Sequence, residues 1–324
     1  MITRAPSRAQ SYAAGVNRPW WIAVVRLTVL LAAGGLAVSR TGLILHELAG
    51  HGGAAVAVGG TVTDAQLFWF AGGWIRYQVP DLTVVKDLTI TLGGIAVEIA
   101  LGIALWVGLR RPAGLGARIL RTIGATLLVH AMFYLATGTW HGYGDGRLIH
   151  ALAGDARYPI AITAGLVACA MAWSGARGLF GALVAAVPPP RLGGAILAIA
   201  VAGLANLGLD LGELRLRRDA TYAVTMQSER ERVVARELAA WQRAQPAAIS
   251  DAERESRARA LLREHREFPF VWLLGAGLAV AVVAGATRSP RGSERPVARW
   301  AVAIASGAAV ISTLAVIAID AAFH

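Results

Sequence analysis

Eight apolar runs dominate the chain, and each has at least about the 20 residues that an α-helix needs to cross the hydrocarbon core of a bilayer. They cover about 20–38, 41–59, 88–109, 119–139, 158–187, 192–211, 269–287 and 298–322. Of the 324 residues, 56% are hydrophobic and only 16% are charged, more apolar surface than a soluble protein of this length needs. The pattern predicts an all-α polytopic membrane protein with about eight transmembrane helices. We expect it to be an integral protein of a bacterial inner (cytoplasmic) membrane.

The spacing of the runs divides the chain into five parts. They are a disordered tail at 1–19, a membrane core at 20–155, additional transmembrane helices at 156–211, a polar helical segment at 212–268 and a C-terminal transmembrane hairpin at 269–324. The first run resembles a signal peptide, but Arg26 interrupts it and the next run follows at once, so we expect a retained helix.

Two stretches outside the apolar runs have patterns of their own. Residues 61–80 read TVTDAQLFWF, AGG and WIRYQV before Pro80, which predicts a β-hairpin around a Gly-rich turn. The polar segment is rich in Arg and Glu and predicts two helices broken near Pro246. Its sequence SDAE at 250–253 predicts a helix N-terminus with a capping box.

The net charge of +11 comes almost wholly from arginine, since Lys86 is the only lysine. No nucleic-acid motif accompanies this charge, so we expect the arginines to meet lipid headgroups and to bias topology instead. With eight crossings, the positive-inside rule favours a cytoplasmic tail, hairpin, 144–146 loop and polar segment. A single cysteine, Cys169, excludes an intrachain disulfide and a cysteine-based metal site.

The second run contains HELAGH, in which His46 and His51 flank Glu47. Zinc hydrolases use the related pattern H-E-x-x-H, with two histidine ligands one turn apart and a glutamate general base. Here one residue is inserted, and in a regular helix residues five apart lie about 140° apart around the axis. A π-bulge at Gly50 would bring both imidazoles to one face. The alternative is a structural polar cluster, although ionisable residues within a span usually have a function.

A third metal ligand must come from another part of the chain. The best candidate is Asp145, which follows a span and lies between two glycines, and His141 is the second. Glu98 is the third candidate, and it could instead pair with His130. We expect His150 either to support a metal ligand or to be structural, and we assign no role to the two remaining histidines, His265 and His324.

These features together resemble the site-2 proteases, a family of intramembrane zinc metalloproteases. The resemblance covers 40–155 and rests on HELAGH in a span, the hairpin after it, LGGIAVEIALG at 92–102 and GDGRLI at 144–149. It implies that His46, His51 and Asp145 hold Zn²⁺ and that Glu47 is the general base. It also implies a metalloendopeptidase that cleaves membrane-protein or peptide substrates in or near the bilayer.

This chain departs from the family pattern before the D-G motif. GTWHGYG stands where the family has Asn and Pro, so His141 or Tyr143 would have to take over the oxyanion role of that Asn. The hairpin could add an extended substrate to a strand edge. Its aromatic residues Phe68, Trp69, Phe70 and Trp74 would more readily anchor it at the membrane interface.

Two other functions remain open at this point. A catalytically inactive relative would act as a scaffold that binds a partner through 212–268, and it would have little use for Glu47. A transporter would use Glu98, Asp210 and the histidines as an ion path, but the absence of inverted repeats argues against it. Oligomeric state and substrate identity do not follow from the sequence.

Overall fold

The structure, a computed structural model, describes residues 19–109, 115–217, 220–245, 249–290 and 297–324. Its helices are α1 (Trp20–Ile44), a π-helical segment (Leu45–Gly52), α2 (Gly53–Ala57), α3 (Val84–Gly108), α4 (Leu115–His141), α5 (Arg147–Leu152), α6 (Arg157–Ala185), α7 (Arg191–Arg217), α8 (Ala220–Thr225), α9 (Glu229–Arg243), α10 (Asp251–Glu264), α11 (Phe270–Thr287) and α12 (Arg299–Phe323). Short 3₁₀ turns cover Gly144–Gly146 and Gly154–Ala156. The predicted tail up to residue 18, Pro246 and parts of two arginine clusters lie outside the described residues.

The predicted class, an all-α polytopic membrane protein, is confirmed. Within the described residues, seven helices are long and apolar enough to cross a membrane. Six of them match predicted spans within a few residues, except that α7 continues to Arg217, past the expected end at 211.

The first two predicted spans are one helix, so the described residues contain seven candidate spans where about eight were expected. Trp20–Ala57 is helical over 38 residues, about 57 Å, with no break near residue 40. The reason is Arg40, whose buried guanidinium donates hydrogen bonds to the carbonyls of Phe68 (2.8 Å) and Ala71 (2.7 Å). Because this charge is satisfied inside the protein, the helix does not have to end there.

A single first crossing changes the predicted topology. The start of α1 packs against Val187 and Val297 at one end of the bundle, with Trp20 beside them. The hairpin follows the other end of the same helix. The start of α1 and the hairpin therefore lie at opposite ends of the bundle, whereas eight crossings would have placed both on the same side.

The predicted β-hairpin is confirmed, with β1 (Thr61–Leu67) antiparallel to β2 (Gly73–Gln78). Leu67 pairs with Gly73 beside the turn. Phe68 is fully buried and Trp74 nearly so, whereas Trp69 is partly exposed. The first two side chains thus pack inside the protein and do not serve as interfacial anchors.

Charged side chains from three transmembrane helices fix the turn at 68–71. Glu213 of α7 accepts hydrogen bonds from three successive backbone N–H groups of this turn, and Arg40 of α1 donates to two of its carbonyls. Asp320 of α12 accepts from the last N–H of β1 at 3.0 Å and pairs with Arg217 at 2.6 Å. Hydrogen bonds to charged groups are about twice as strong as neutral ones, so the turn is held rigidly over the bundle.

The polar segment is helical, as predicted. After the short α8, helices α9 and α10 are its main elements, and Ser250 and Glu253 form the predicted capping box of α10. Ser228 and Glu231 form a second capping box at the start of α9, which the sequence QSERE also allows.

Candidate metal centre

The HELAGH sequence lies entirely within the π-helical segment, which confirms the predicted bulge. In a π-helix the hydrogen bonds run from residue i to i+5, so residues five apart share a face. The Nε2 atoms of His46 and His51 are accordingly 3.2 Å apart, and both rings are buried.

Close packing, and not an unusual backbone conformation, explains Gly50. A Cβ at this position would lie 2.4 Å from the Cα of Gly94 on α3. Four glycines of the described residues have a positive φ, and Gly50 is not one of them. Glycine at this position therefore lets α3 approach the π-helical segment, and the dihedral argument made from the sequence was wrong.

The turn Gly144–Gly146 after α4 brings Asp145 to both imidazoles. Its Oδ2 lies 3.0 Å from His46 Nε2, and its Oδ1 lies 3.4 Å from His51 Nε2. Gly144 has φ +49°, and any Cβ there would overlap the Tyr134 hydroxyl, so this turn requires glycine. The Oδ2 atom is buried and makes no hydrogen bond despite its short distance to the imidazole.

These donors form two overlapping groups. Ligand atoms of His46, Glu47 and His51 all lie within 4.8 Å of one another, and this group can hold a metal ion. The set of His46, His51 and Asp145 is tighter, with separations of 3.0, 3.2 and 3.4 Å. Glu47 is buried directly beside that tighter set.

The remaining nitrogens of both histidines face other groups of the protein. His51 Nδ1 lies 2.7 Å from the carbonyl of Ile90 on α3, so it carries the proton and leaves Nε2 with a free lone pair. His46 Nδ1 lies 3.4 Å from Glu98, a distance for an ion pair, and it makes no hydrogen bond. Glu98 also lies 2.9 Å from His130, the pairing that the sequence allowed.

Three carboxylates converge on this buried region, from Glu47, Glu98 and Asp145. Burying several negative charges is costly unless cations compensate them. His130 pairs with one of the three, and a divalent cation held between the two histidines and Asp145 would offset the other two.

The other predicted residues have different partners. His141 lies 2.9 Å from Glu267 beyond the end of α10 and stacks on Tyr143, with ring centroids 6.4 Å apart. His150 lies 2.9 Å from the carbonyl of Thr139, which is consistent with a structural role. His265 pairs with Glu237 inside the polar segment.

Tyr134 is a neighbour of the centre that sequence reasoning missed. Its ring centroid is 6.2 Å from that of His46 and 6.2 Å from that of Tyr143. Its hydroxyl faces the sulfur of Met226 at 3.7 Å, a weak acceptor. The signal in the sequence is its helical spacing, because Tyr134 follows His130 by four residues and shares its face of α4.

The polar segment covers the turn that carries Asp145. Arg232 of α9 donates a hydrogen bond to the carbonyl of Gly142 at 3.2 Å, and Glu267 holds His141. Met226 reaches Tyr134 from the same segment. The segment is therefore built onto the candidate centre and is not a detached extramembrane hairpin.

No protein-family model, curated protein or solved structure matches the chain. The His46, Glu47 and His51 cluster does not by itself identify a family.

Proposed function

We propose that the chain is a membrane-embedded zinc metallopeptidase that hydrolyses peptide bonds of membrane-protein substrates in or near the bilayer. The observation that carries this proposal is the triangle formed by His46 Nε2, His51 Nε2 and the carboxylate of Asp145. The two Nε2 atoms are 3.2 Å apart, Oδ2 of Asp145 lies 3.0 Å from His46 Nε2, and its Oδ1 lies 3.4 Å from His51 Nε2.

The triangle fits zinc better than it fits a hydrogen-bonded cluster. Nitrogen and oxygen ligands lie about 2.0–2.1 Å from zinc, and a tetrahedral arrangement places such ligands about 3.3 Å from each other. Two histidines and one carboxylate are also a known ligand set for catalytic zinc, with the fourth position open. The buried Oδ2 of Asp145, which has no hydrogen-bond partner, is explained if it faces a metal ion.

Each residue then has a defined task. His46, His51 and Asp145 would hold the zinc, which when bound supplies Lewis acidity for activating water and polarising a carbonyl. Glu47 accepts a proton from the attacking water as the new C–O bond forms. It then delivers a proton to the amide nitrogen as the C–N bond breaks, and the two products are an amine and a carboxylic acid.

Tyr134 is the residue that we place as hydrogen-bond donor to the substrate carbonyl oxygen. GTWHGYG lacks the Asn of the site-2 proteases, His141 is held by Glu267, and among the described residues the Tyr134 hydroxyl contacts only the thioether of Met226. The Tyr134 ring lies 6.2 Å from that of His46, so its hydroxyl is a polar donor beside the candidate ligands.

The hairpin offers a strand edge for an extended substrate. A helical peptide hides its carbonyls in hydrogen bonds, so a substrate must unwind before cleavage. The backbone N–H of Leu67, at the end of β1, already donates to Asp320, and α12 borders that strand. We therefore assign substrate pairing to the outer edge of β2.

Metal analysis of matched variants tests the proposal. Purified wild-type protein should contain one zinc per chain, Asp145→Ala should lose it, and Glu47→Gln should keep it. Wild-type protein should cleave an unstructured protein or a transmembrane peptide in detergent, and Glu47→Gln should not. Absence of zinc from the wild type after incubation with zinc would refute the metal centre. Stoichiometric zinc with no cleavage that depends on Glu47 would favour the inactive scaffold.

A further inference from the structure

The opposite end of the bundle contains a cavity of about 510 Å³ between α3, α4 and α6. Three arginines line it, namely Arg118 and Arg121 from the first turns of α4 and Arg177 from α6. Two tryptophans, Trp106 and Trp173, also line the cavity. This cavity is separate from the candidate metal centre, which lies towards the hairpin end.

The arginines of the cavity have no acidic partner among the residues that the structure describes. Among the described residues, no carboxylate lies within 4.0 Å of a guanidinium nitrogen of Arg118, Arg121 or Arg177, and no acidic side chain lines the cavity. Three guanidinium groups facing one space repel each other, so an anion there would be favourable. Guanidinium groups match phosphate oxygens in particular, because they can donate two parallel hydrogen bonds.

Aromatic contacts hold two of these arginines in place. Arg121 lies over the ring of Trp106 at 5.5 Å and Arg177 over the ring of Trp173 at 5.2 Å. Trp106 also donates a hydrogen bond to Ser174 at 3.2 Å, which ties α3 to α6. The donors are therefore positioned before any ligand arrives, which lowers the entropic cost of binding.

The position of the cavity along the bundle indicates that a phosphate bound there would belong to a lipid headgroup. Arg177 follows Arg157 by 20 residues on α6, a rise of about 30 Å, which equals the thickness of the hydrocarbon core. Trp106 lies in the last turn of α3, where a tryptophan is favourable at headgroup level. Basic pockets between transmembrane helices at this level bind anionic lipid headgroups.

We propose that this cavity binds the phosphate of an anionic phospholipid headgroup, with Arg118, Arg121 and Arg177 as the donors. The volume lies in the range of roughly 300–1,000 Å³ that small-ligand sites have, enough for a phosphoglycerol group. The inference does not depend on the proposed peptidase activity, and variants of this cavity should keep their zinc.

Lipid titration of the full-length protein in nonionic detergent, followed by native mass spectrometry, tests this. Dioctanoyl phosphatidylglycerol should bind, and dioctanoyl phosphatidylcholine should bind much more weakly. The double variant Arg121→Gln/Arg177→Gln should bind the anionic lipid at least about tenfold more weakly. The charge-matched control Arg288→Gln/Arg299→Gln changes two exposed arginines outside the cavity and should bind as wild type does.

Three results would overturn the inference. The first is equal binding of both lipids, and the second is wild-type affinity in the double variant. The third is displacement of the lipid by an equal concentration of inorganic phosphate, which would indicate a site for soluble phosphate. Melting temperatures without added lipid check that the variants fold. If the double variant does not fold, the single change Arg118→Gln, at an exposed side chain, should still weaken lipid binding several-fold, and no weakening would refute the proposal.

Discussion

Replacing Gly94 by alanine should weaken zinc binding on the order of 100-fold or more without removing any of the proposed ligands. Gly94 lies on α3 under the ring of His46, and a Cβ at this position would be 2.6 Å from Nε2 and 2.7 Å from two further ring atoms. Ordinary van der Waals contact begins at about 3.4 Å. The imidazole would have to move by about 0.8 Å to accommodate one methyl group.

That displacement is too large for a metal ligand. Ligand distances in a functional metal site have to hold to within about 0.2 Å. The ring cannot retreat freely, because His51 Nε2 lies 3.2 Å and Asp145 Oδ2 lies 3.0 Å from its own Nε2. Changes next to metal ligands cost about 10–100-fold in affinity, and a shift of the ligand itself should cost on the order of 100-fold or more.

Competition with a chromophoric chelator measures this loss directly. Gly108→Ala is the matched control, because Gly108 lies on the same helix and a Cβ there meets nothing within 4 Å. Alanine is the better helix former by about 1 kcal/mol, so neither variant should weaken α3 itself. Wild-type zinc affinity in Gly94→Ala, with the melting temperature unchanged, would refute the placement of His46 among the ligands.

Three further changes separate the roles of neighbouring residues. Glu98→Gln should lower zinc affinity by about 10–100-fold in the same competition assay, because it removes the negative charge that faces Nδ1 of His46. An unchanged affinity would show that Glu98 does not position His46. Tyr134→Phe should slow peptide cleavage by about 10²–10³-fold while zinc content stays at one per chain, and an equal rate would remove it as the oxyanion donor. Glu213→Gln should destabilise the protein by at least about 2 kcal/mol, measured by denaturant or thermal unfolding in detergent. Hydrogen exchange should then speed up at the backbone of residues 69–71, and slow exchange there would contradict the anchoring role.

The parts of the fold that the sequence predicts are those that local physics determines. A transmembrane span follows from apolar length alone, so the predicted 88–109 differs from α3 (Val84–Gly108) by only a few residues. The π-helical segment also follows locally, because two ligands five residues apart can share a face only if the helix widens. The proximity of Asp145 to both histidines was expected from the glycines around it and from the family resemblance.

The parts that could not be predicted depend on partners far apart in the chain. Arg40 lies between the first two predicted spans, and its acceptors, the carbonyls of Phe68 and Ala71, do not follow from the local sequence. Glu213 and Asp320 lie more than 140 residues from the turn and strand that they bind, and no local pattern connects them. The contacts of all three side chains have the same physical origin. A charge buried among transmembrane helices must find a partner wherever the fold provides one.

The single first helix also limits how the proposed substrate could reach the candidate metal centre. Since the hairpin, the turn with Asp145 and the polar segment share one end of the bundle, Arg232 and Glu267 can hold the residues just before Asp145. A peptide that approached from that aqueous side would therefore have to displace the polar segment. His130 lies on another side of the centre, and its side chain is 61% exposed although it lies within a span and pairs with Glu98. Glu98 therefore links the candidate ligand His46 to an exposed side chain within a span, which suits the proposed substrate if it arrives laterally from the bilayer better than if it arrives from solution.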